Sequence, residues 1–416
     1  MVETPRVAAL AVFALTYLAV AAGRFPGLSL DRPAAALLGA VLMVAVGALG
    51  PEEAARAVNG DTIGLLLGMM VLTEYLRQAA FFRWASWRVI QSVSGPRTLL
   101  WGLALAAGGL SAFLVNDTIC LMMTPLVIRI VDDADLPPLP YLLAVAFGSN
   151  AGSAATLTGN PQNMIVGTLS GISYARFASA LALPAAVSLL LAAGILHAVF
   201  RRDLPRRRLA AALESPAVDR PLLAKSLGAT GLALAGFLAG FPLAWTALFA
   251  AALLMAVAGR VPREALHRVD WPLLVFFAGL FVVVAGVGRS GAAGRMFEAI
   301  APWLGADPVR QAVAFGLFSA AASQVVSNVP FVILAGEWIP RLADPTLLWL
   351  ATALSATLAG NLTMVGSVAN LIVLELAGSR ARVSFWGFLR IGALVTAVTL
   401  LAALAILLGE RALGMI

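Results

Sequence analysis

Seven long stretches of this chain carry no charged residue: 98–116, 136–175, 177–200, 226–259, 311–336, 345–374 and 391–409. Several reach or pass the roughly 20 residues that a helix needs to cross about 30 Å of hydrocarbon. No series of ten-residue alternating strands competes, so the spans are read as helices. With 61% hydrophobic and 12% charged residues in 416, the chain is too apolar for a soluble domain of its size. The fold class expected is an all-α polytopic membrane protein.

The same composition excludes other chemistries. One cysteine, Cys120, allows no intrachain disulfide framework and no cysteine-built metal site. The two histidines, His197 and His267, lie far apart and belong to no HExxH motif, which argues against zinc. No GxxxxGK[ST] motif is present, so nothing supports ATP hydrolysis, and no cofactor is expected. The net charge of +7 is assigned to membrane topology rather than to nucleic acid. Glu3 precedes the first apolar run and no Ala-x-Ala cleavage pattern follows it, so that run is read as a retained spanning helix.

Spanning helices are expected near 7–23, 33–49, 61–77, 141–158 and 177–200. A polar linker, 201–222, is rich in Arg and contains three prolines, and divides the chain into halves of 1–200 and 223–416. The halves resemble each other: ATLTGN at 155–160 recurs as ATLAGN at 356–361, Pro51-Glu52-Glu53-Ala54 matches Pro262-Arg263-Glu264-Ala265, Gly68 falls opposite Gly279, and Asn116 opposite Asn328. Matches in one order at nearly constant offset argue for an internal repeat.

In the first half a polar break, Val115-Asn116-Asp117-Thr118, separates an apolar arm from one too short to cross alone, so a re-entrant hairpin is expected at about 97–131. Ser327-Asn328-Val329-Pro330 suggests a second at about 311–341. Five crossings in the first half then turn the second half over, the inverted-repeat transporter plan, with about 10–11 crossings in all. Placing the linker in the cytoplasm also puts Arg24, Arg32, Arg77, Arg83, Arg97, Arg129, Arg260, Arg268 and Arg380 inside, as the positive-inside rule requires. The segment 81–93, with aromatic and Arg residues, reads as an interfacial helix.

Two interrupted helices are expected, at 159–163 and 360–363. Pro161 lacks an amide hydrogen, Gly159 and Gly360 tolerate unusual dihedrals, and the opened backbone leaves polar groups free. Amino ends of half-helices suit an anion; carbonyl ends and Asn, Ser or Thr oxygens suit a hard cation. The candidate substrate and ion-binding residues are Asn116, Asp117, Thr118, Asn160, Asn163, Ser327, Asn328, Asn361, Thr363 and Asn370, with sodium expected near Asn116, Asp117, Asn160, Asn328 and Asn361. The competing reading is that these amides only join helices together. Asp117 has no counterpart in the second half, where Val329 stands; it must bind a cation, pair, hold a proton, or hydrogen-bond hairpin backbone. Glu74 is expected to pair with Arg77 on one helix face, while Glu337 and Glu375 are either proton relays or interfacial acids.

SAFLVNDTICLMMTP at 111–125, ATLTGNPQNMIVG at 155–167, SQVVSNVPFVIL at 323–334 and ATLAGNLTMVGSVANLIVLE at 356–375 resemble the ion transporter superfamily of arsenite permeases, sodium/proton antiporters, and citrate and dicarboxylate carriers. The nearest branch is that of ArsB/NhaD-type permeases and their anion-permease relatives. The resemblance implies hairpin tips and interrupted helices that form the substrate and cation sites, elevator-like motion of the hairpin-bearing part, a homodimer in the lipid bilayer of a bacterial plasma membrane, and sodium or a proton as coupling ion. Dicarboxylate carriers tend to carry Ser-Asn-Thr at both tips, and this chain has it at neither, which weakens dicarboxylate as the substrate. Four readings follow: an ion-coupled transporter of a small anion or oxyacid, arsenite efflux included; a sodium/proton antiporter centred on Asp117; a passive channel; and an intramembrane enzyme, for which no paired acids or nucleophile and base are apparent.

Overall fold

The computed structural model describes residues 3–22, 30–208 and 215–416, and these are helical with no strand among them. Arg24 and the middle of the linker, 209–214, lie outside the described residues. The first half comprises α1 (Glu3–Ala22), α2 (Arg32–Ala45), α3 (Pro51–Ala57), α4 (Gly60–Gln78), α5 (Phe81–Ser92), α6 (Pro96–Ser111), α7 (Asn116–Asp133), α8 (Pro138–Ser153), α9 (Pro161–Ser170) and α10 (Tyr174–Val199). The second comprises α11 (Arg220–Leu238), α12 (Leu243–Val257), α13 (Pro262–His267), α14 (Trp271–Arg289), α15 (Ala292–Leu304), α16 (Pro308–Val326), α17 (Asn328–Ala335), α18 (Pro345–Ala359), α19 (Val368–Ala377) and α20 (Phe385–Ala412). Among the described residues five helices are long and apolar enough to cross a membrane, six if α3 and α4, bent by 49°, form one span. The protein is an integral membrane protein.

Local sequence sets many helix starts. Asp31, Asp219, Asp270, Asp307 and Asp344 each accept a backbone N–H at an N-cap, and a proline stands at the first or second helical position after each. The side chain satisfies a donor the helix cannot, and proline lacks the donor that would otherwise be orphaned. Asp219 also pairs with Arg260; the hydrogen bond from Leu222 and then that pair hold its carboxyl below the usual carboxylate range.

The ten helices of one half recur in order in the other. Inversion follows from two close helix pairs. A Cβ on Gly68 of α4 would come within 2.6 Å of the Ala247 backbone on α12, and one on Gly279 of α14 within 2.7 Å of the Ala36 backbone on α2. One turn earlier Gly64 meets Ala244, and two turns later Gly286 meets Met43, so α4 runs parallel to α12 and α14 parallel to α2. Because α2 and α4 are consecutive crossings joined through α3 and run in opposite directions, α14 runs opposite to its own counterpart α4.

The structure corrects two details of the expected repeat. Helices α8 and α9 correspond to α18 and α19 at an offset of 207 residues, not the 201 of the ATLTGN and ATLAGN match, so those two strings occupy different places in their halves. The breaks are also wider and differently placed: the first spans 154–160 with Pro161 opening α9, and the second spans 360–367. Proline is tolerated at the first helical position because its missing N–H is an orphan there, and this is why Pro161 starts a helix rather than opening one. The hairpins turn at 112–115 and at Ser327; α7 continues to Asp133, beyond the expected end of its arm.

Candidate functional site

Both hairpin tips and both helix breaks meet at one cavity of about 310 Å³, lined by Asn116, Asp117, Ser327, Asn328, Pro161, Gln162, Gly366 and Ser367, together with Arg32, Asp270 and Phe277. Each tip brings an asparagine at the first residue of a descending helix, α7 or α17. The Oδ1 atoms of Asn116 and Asn328 are buried and have no hydrogen-bond partner. A buried amide oxygen without a donor costs about 1–3 kcal/mol, and here two such oxygens stand at equivalent positions of one cavity wall. Asp117 forms no hydrogen bond or ion pair among the described residues. It lines this cavity and a neighbouring one of about 510 Å³, together with Asp270 and Leu273.

The tips differ in how they are held. Asn116 Nδ2 donates to Asn150 Oδ1 at 3.1 Å, and Ser149 Oγ donates to the Asn116 carbonyl at 3.2 Å, tying the first tip to α8. The second tip is held from α1, where the Tyr17 hydroxyl donates to the Pro330 carbonyl at 2.9 Å. Ser327, at this turn, has φ 71° and ψ 158°, a region that favours glycine, so the tip is strained where it meets the cavity. Equivalent threonines in the breaks hold the ascending arms: Thr156 Oγ1 donates to the Ala112 carbonyl, and Thr363 Oγ1 to Gln324 Oε1 at 2.9 Å.

Asn160, Asn163, Asn361, Thr363 and Asn370 stand behind the cavity wall rather than on it. Asn160 caps α9 by accepting from the Asn163 amide at 2.8 Å, and its Nδ2 donates to Ser153 Oγ at 3.0 Å and Thr357 Oγ1 at 3.2 Å. Asn361 Oδ1 accepts from Asn150 Nδ2 at 2.8 Å. Asn163 and Asn370 each bridge two backbone carbonyls. Gly159 lies against the Ser153 carbonyl and Gly360 against the Thr357 carbonyl and the Ser367 Cβ, where an added Cβ would require these neighbours to move. Thr118 lines only the 510 Å³ cavity.

Three residues absent from the sequence-derived set matter here. Asn150 is a hub whose Oδ1 accepts from Asn116 and Ser367 while its Nδ2 donates to Asn361 and Asn370, which joins the first tip to the second break. Gln162 and Ser367 sit on the cavity wall at the first turns of α9 and α19. The signal for Asn150 was an amide within an otherwise apolar run; Ser367 could have been found by the 207-residue register, which places it opposite Asn160.

The hollows adjoin in a row. The 310 Å³ and 510 Å³ cavities share Asp117 and Asp270, and the 510 Å³ cavity shares Glu74, Arg77 and Arg268 with a vestibule of about 770 Å³ that reaches Ala217 of the linker. Glu74 pairs with Arg77 at 2.6 Å, as expected. Glu337 packs beside Gly288, and Glu375 is exposed on α19; neither lines these hollows. Cys120 is buried.

This arrangement agrees with what the chain is similar to. The silicon efflux transporter LSI3 of Oryza sativa subsp. japonica is 29% identical over 88% of this chain and 90% of its own length. An uncharacterised transporter of Mycobacterium tuberculosis is 31% identical over 94% of this chain and 96% of its own. The crystal structure of the YdaH transporter of Alcanivorax borkumensis shares the fold, with a TM-score of 0.59 at 16% identity over 99% of both chains. A family model described as citrate transporter matches residues 15–344, most of the chain. With its halves, paired hairpins and broken helices in place, this chain belongs to the citrate transporter family of membrane transporters.

Proposed function

We propose that the protein is an ion-coupled secondary active transporter of a small anion or oxyacid, working by alternating access in a bacterial plasma membrane, with sodium or protons as the coupling ion. The observation that carries this reading is the pair of orphaned Asn116 and Asn328 oxygens beside the unpartnered Asp117, in a cavity that the amino ends of α9 and α19 also face. Oxygens and a carboxylate suit a cation, and helix amino ends suit an anion, so each ion lowers the electrostatic cost of the other. Silicon efflux by a relative agrees with a small oxyacid as cargo.

Packing favours an elevator-like step. Helices α2 and α4 interlock with α14 and α12, while the hairpins pack on α8, α18, α10 and α20; the second group would slide against the first, carrying the cavity with it.

The test is a thermal-shift and uptake panel on purified protein, in sodium or choline buffer at two pH values, with arsenite, phosphate, sulfate, citrate, succinate and chloride. A ligand at about 100 times its Kd adds roughly 2.7 kcal/mol to native stability. Sodium- or proton-dependent stabilisation and accumulation of one of these solutes supports the reading. Stabilisation by sodium alone, varying with pH and with no solute moved, replaces it with sodium/proton exchange.

A further inference from the structure

The vestibule on the linker side is more than an opening. Four guanidiniums, those of Arg77, Arg83, Arg260 and Arg268, line it against two carboxylates, Glu74 and Glu264. Two of the four are committed: Arg260 to Asp219, and Arg77 to Glu74. The Arg77 contact is bidentate, Nε to Oε2 at 2.6 Å and Nη2 to Oε1 at 2.7 Å, and Gln78 Nε2 adds a third donor to Glu74 at 2.9 Å. Glu74 is buried, so this clamp fixes the Arg77 fork at the neck between vestibule and inner cavity and leaves its Nη1 edge unclaimed. Arg83 on α5 and Arg268 after α13 have no hydrogen bond or ion pair among the described residues, although both face the same hollow.

Arginines on the cytoplasmic side are common for reasons of topology alone. Topology, however, does not require two unpaired guanidiniums from different elements to face one cavity, nor a third held by a buried acid at its exit. A planar guanidinium fork matches the oxygens of carboxylates and tetrahedral oxyanions. A basic concavity with low-dielectric walls also concentrates anions before they bind.

We propose that the vestibule is an anion-binding station in its own right, in which Arg83 and Arg268, with Arg77 clamped by Glu74 at the neck, take a small soluble oxyanion or carboxylate on its way between the linker side and the hairpin tips. The proposal rests on the anion-transport reading above and makes the cargo charged, not a neutral acid, at this point of the path.

The test separates the station from the tips and from transport itself. Citrate and sulfate binding is measured by calorimetry on the full chain in phosphatidylcholine nanodiscs, for wild type, the double variant Arg83→Gln/Arg268→Gln, the tip variant Asn116→Ala/Asn328→Ala, and Arg202→Gln, which removes an exposed linker charge. The double variant is expected to bind at least one of these anions roughly tenfold more weakly and with a shallower salt dependence, while the tip and linker variants keep this binding event. In proteoliposomes of defined orientation, the double variant raises KM for anion entering from the linker side with its kcat unchanged, while the opposite-side KM is kept and kcat from that side falls by the same factor, because the transport equilibrium is independent of the protein.

If wild type moves no anion yet binds one through these arginines, the transport reading fails and the station stands. If anion transport depends on the tips while binding and KM ignore Arg83 and Arg268, the station is overturned and the transport reading stands. Occupation of the arginines by phosphatidylglycerol headgroups, with no soluble anion bound, also overturns it.

Discussion

Asn163 and Asn370 make the same two hydrogen bonds in opposite halves of the molecule: each Nδ2 donates to the carbonyl ten residues earlier and to the carbonyl seven residues earlier, Ser153 and Thr156 in one half, Gly360 and Thr363 in the other. The side chain thereby satisfies acceptors that the broken helix has left without partners, which membrane-depth backbone requires. Asn163→Ala and Asn370→Ala should each lower stability by about 1–3 kcal/mol through unsatisfied carbonyls. Paired thermal melts check this; a loss in one variant and none in the other would show that the halves are not built alike.

Asp117→Asn keeps the size of the side chain and removes its charge at a place where it has no partner. The folded protein should persist with an unchanged melting temperature while gradient-driven accumulation is lost. Uptake under imposed sodium and proton gradients is the measurement, and full accumulation in the variant would remove Asp117 from coupling.

The two tip asparagines should respond differently to the same truncation. Asn116→Ala breaks the hydrogen bond to Asn150 and should cost about 1 kcal/mol of stability as well as weakening cation affinity. The Asn328 side chain makes no hydrogen bond among the described residues, so Asn328→Ala should weaken cation affinity without that loss. Titrating sodium-dependent stabilisation in each variant separates the two effects.

Ser327 sits at φ 71° on the second tip, and strain of this kind costs on the order of 1–3 kcal/mol. Ser327→Gly should therefore raise stability while loosening the tip and slowing transport. Ser327→Ala keeps the strain and loses only the hydroxyl, so its melt should stay near wild type; equal melts for the two variants would argue against strain.

Gly68→Ala and Gly279→Ala drive a methyl into the backbones of Ala247 and Ala36, and overpacking at such contacts typically costs 1–3 kcal/mol. Gly228→Ala on α11 meets nothing within 4 Å and serves as the neutral control. Thermal unfolding of the three variants should rank Gly228→Ala well above the other two.

Much of this architecture was legible in the sequence. The α4 boundary, expected at 61–77, falls at Gly60–Gln78, and the helix expected at 81–93 falls at Phe81–Ser92. The tips at Asn116 and Ser327 and the equivalence of Gly68 with Gly279 also follow from residues read in order. The register of the broken helices did not: ATLTGN and ATLAGN are the stronger string match, but α9 and α19 are aligned by what Asn163 and Asn370 bind.

What the sequence determined by itself is what depends on local composition. Uncharged length specifies spans, an acid before a proline specifies where helices begin, and amides within apolar runs reveal that polar chemistry sits at membrane depth. Only the tertiary structure decided which amides face the cavity and which frame it. Asn150 meets Asn361 and Asn160 meets Thr357 across the two halves, contacts between residues 211 and 197 positions apart. A buried amide is committed or free according to the partners that packing brings to it, and those partners are chosen by how one half folds against the other.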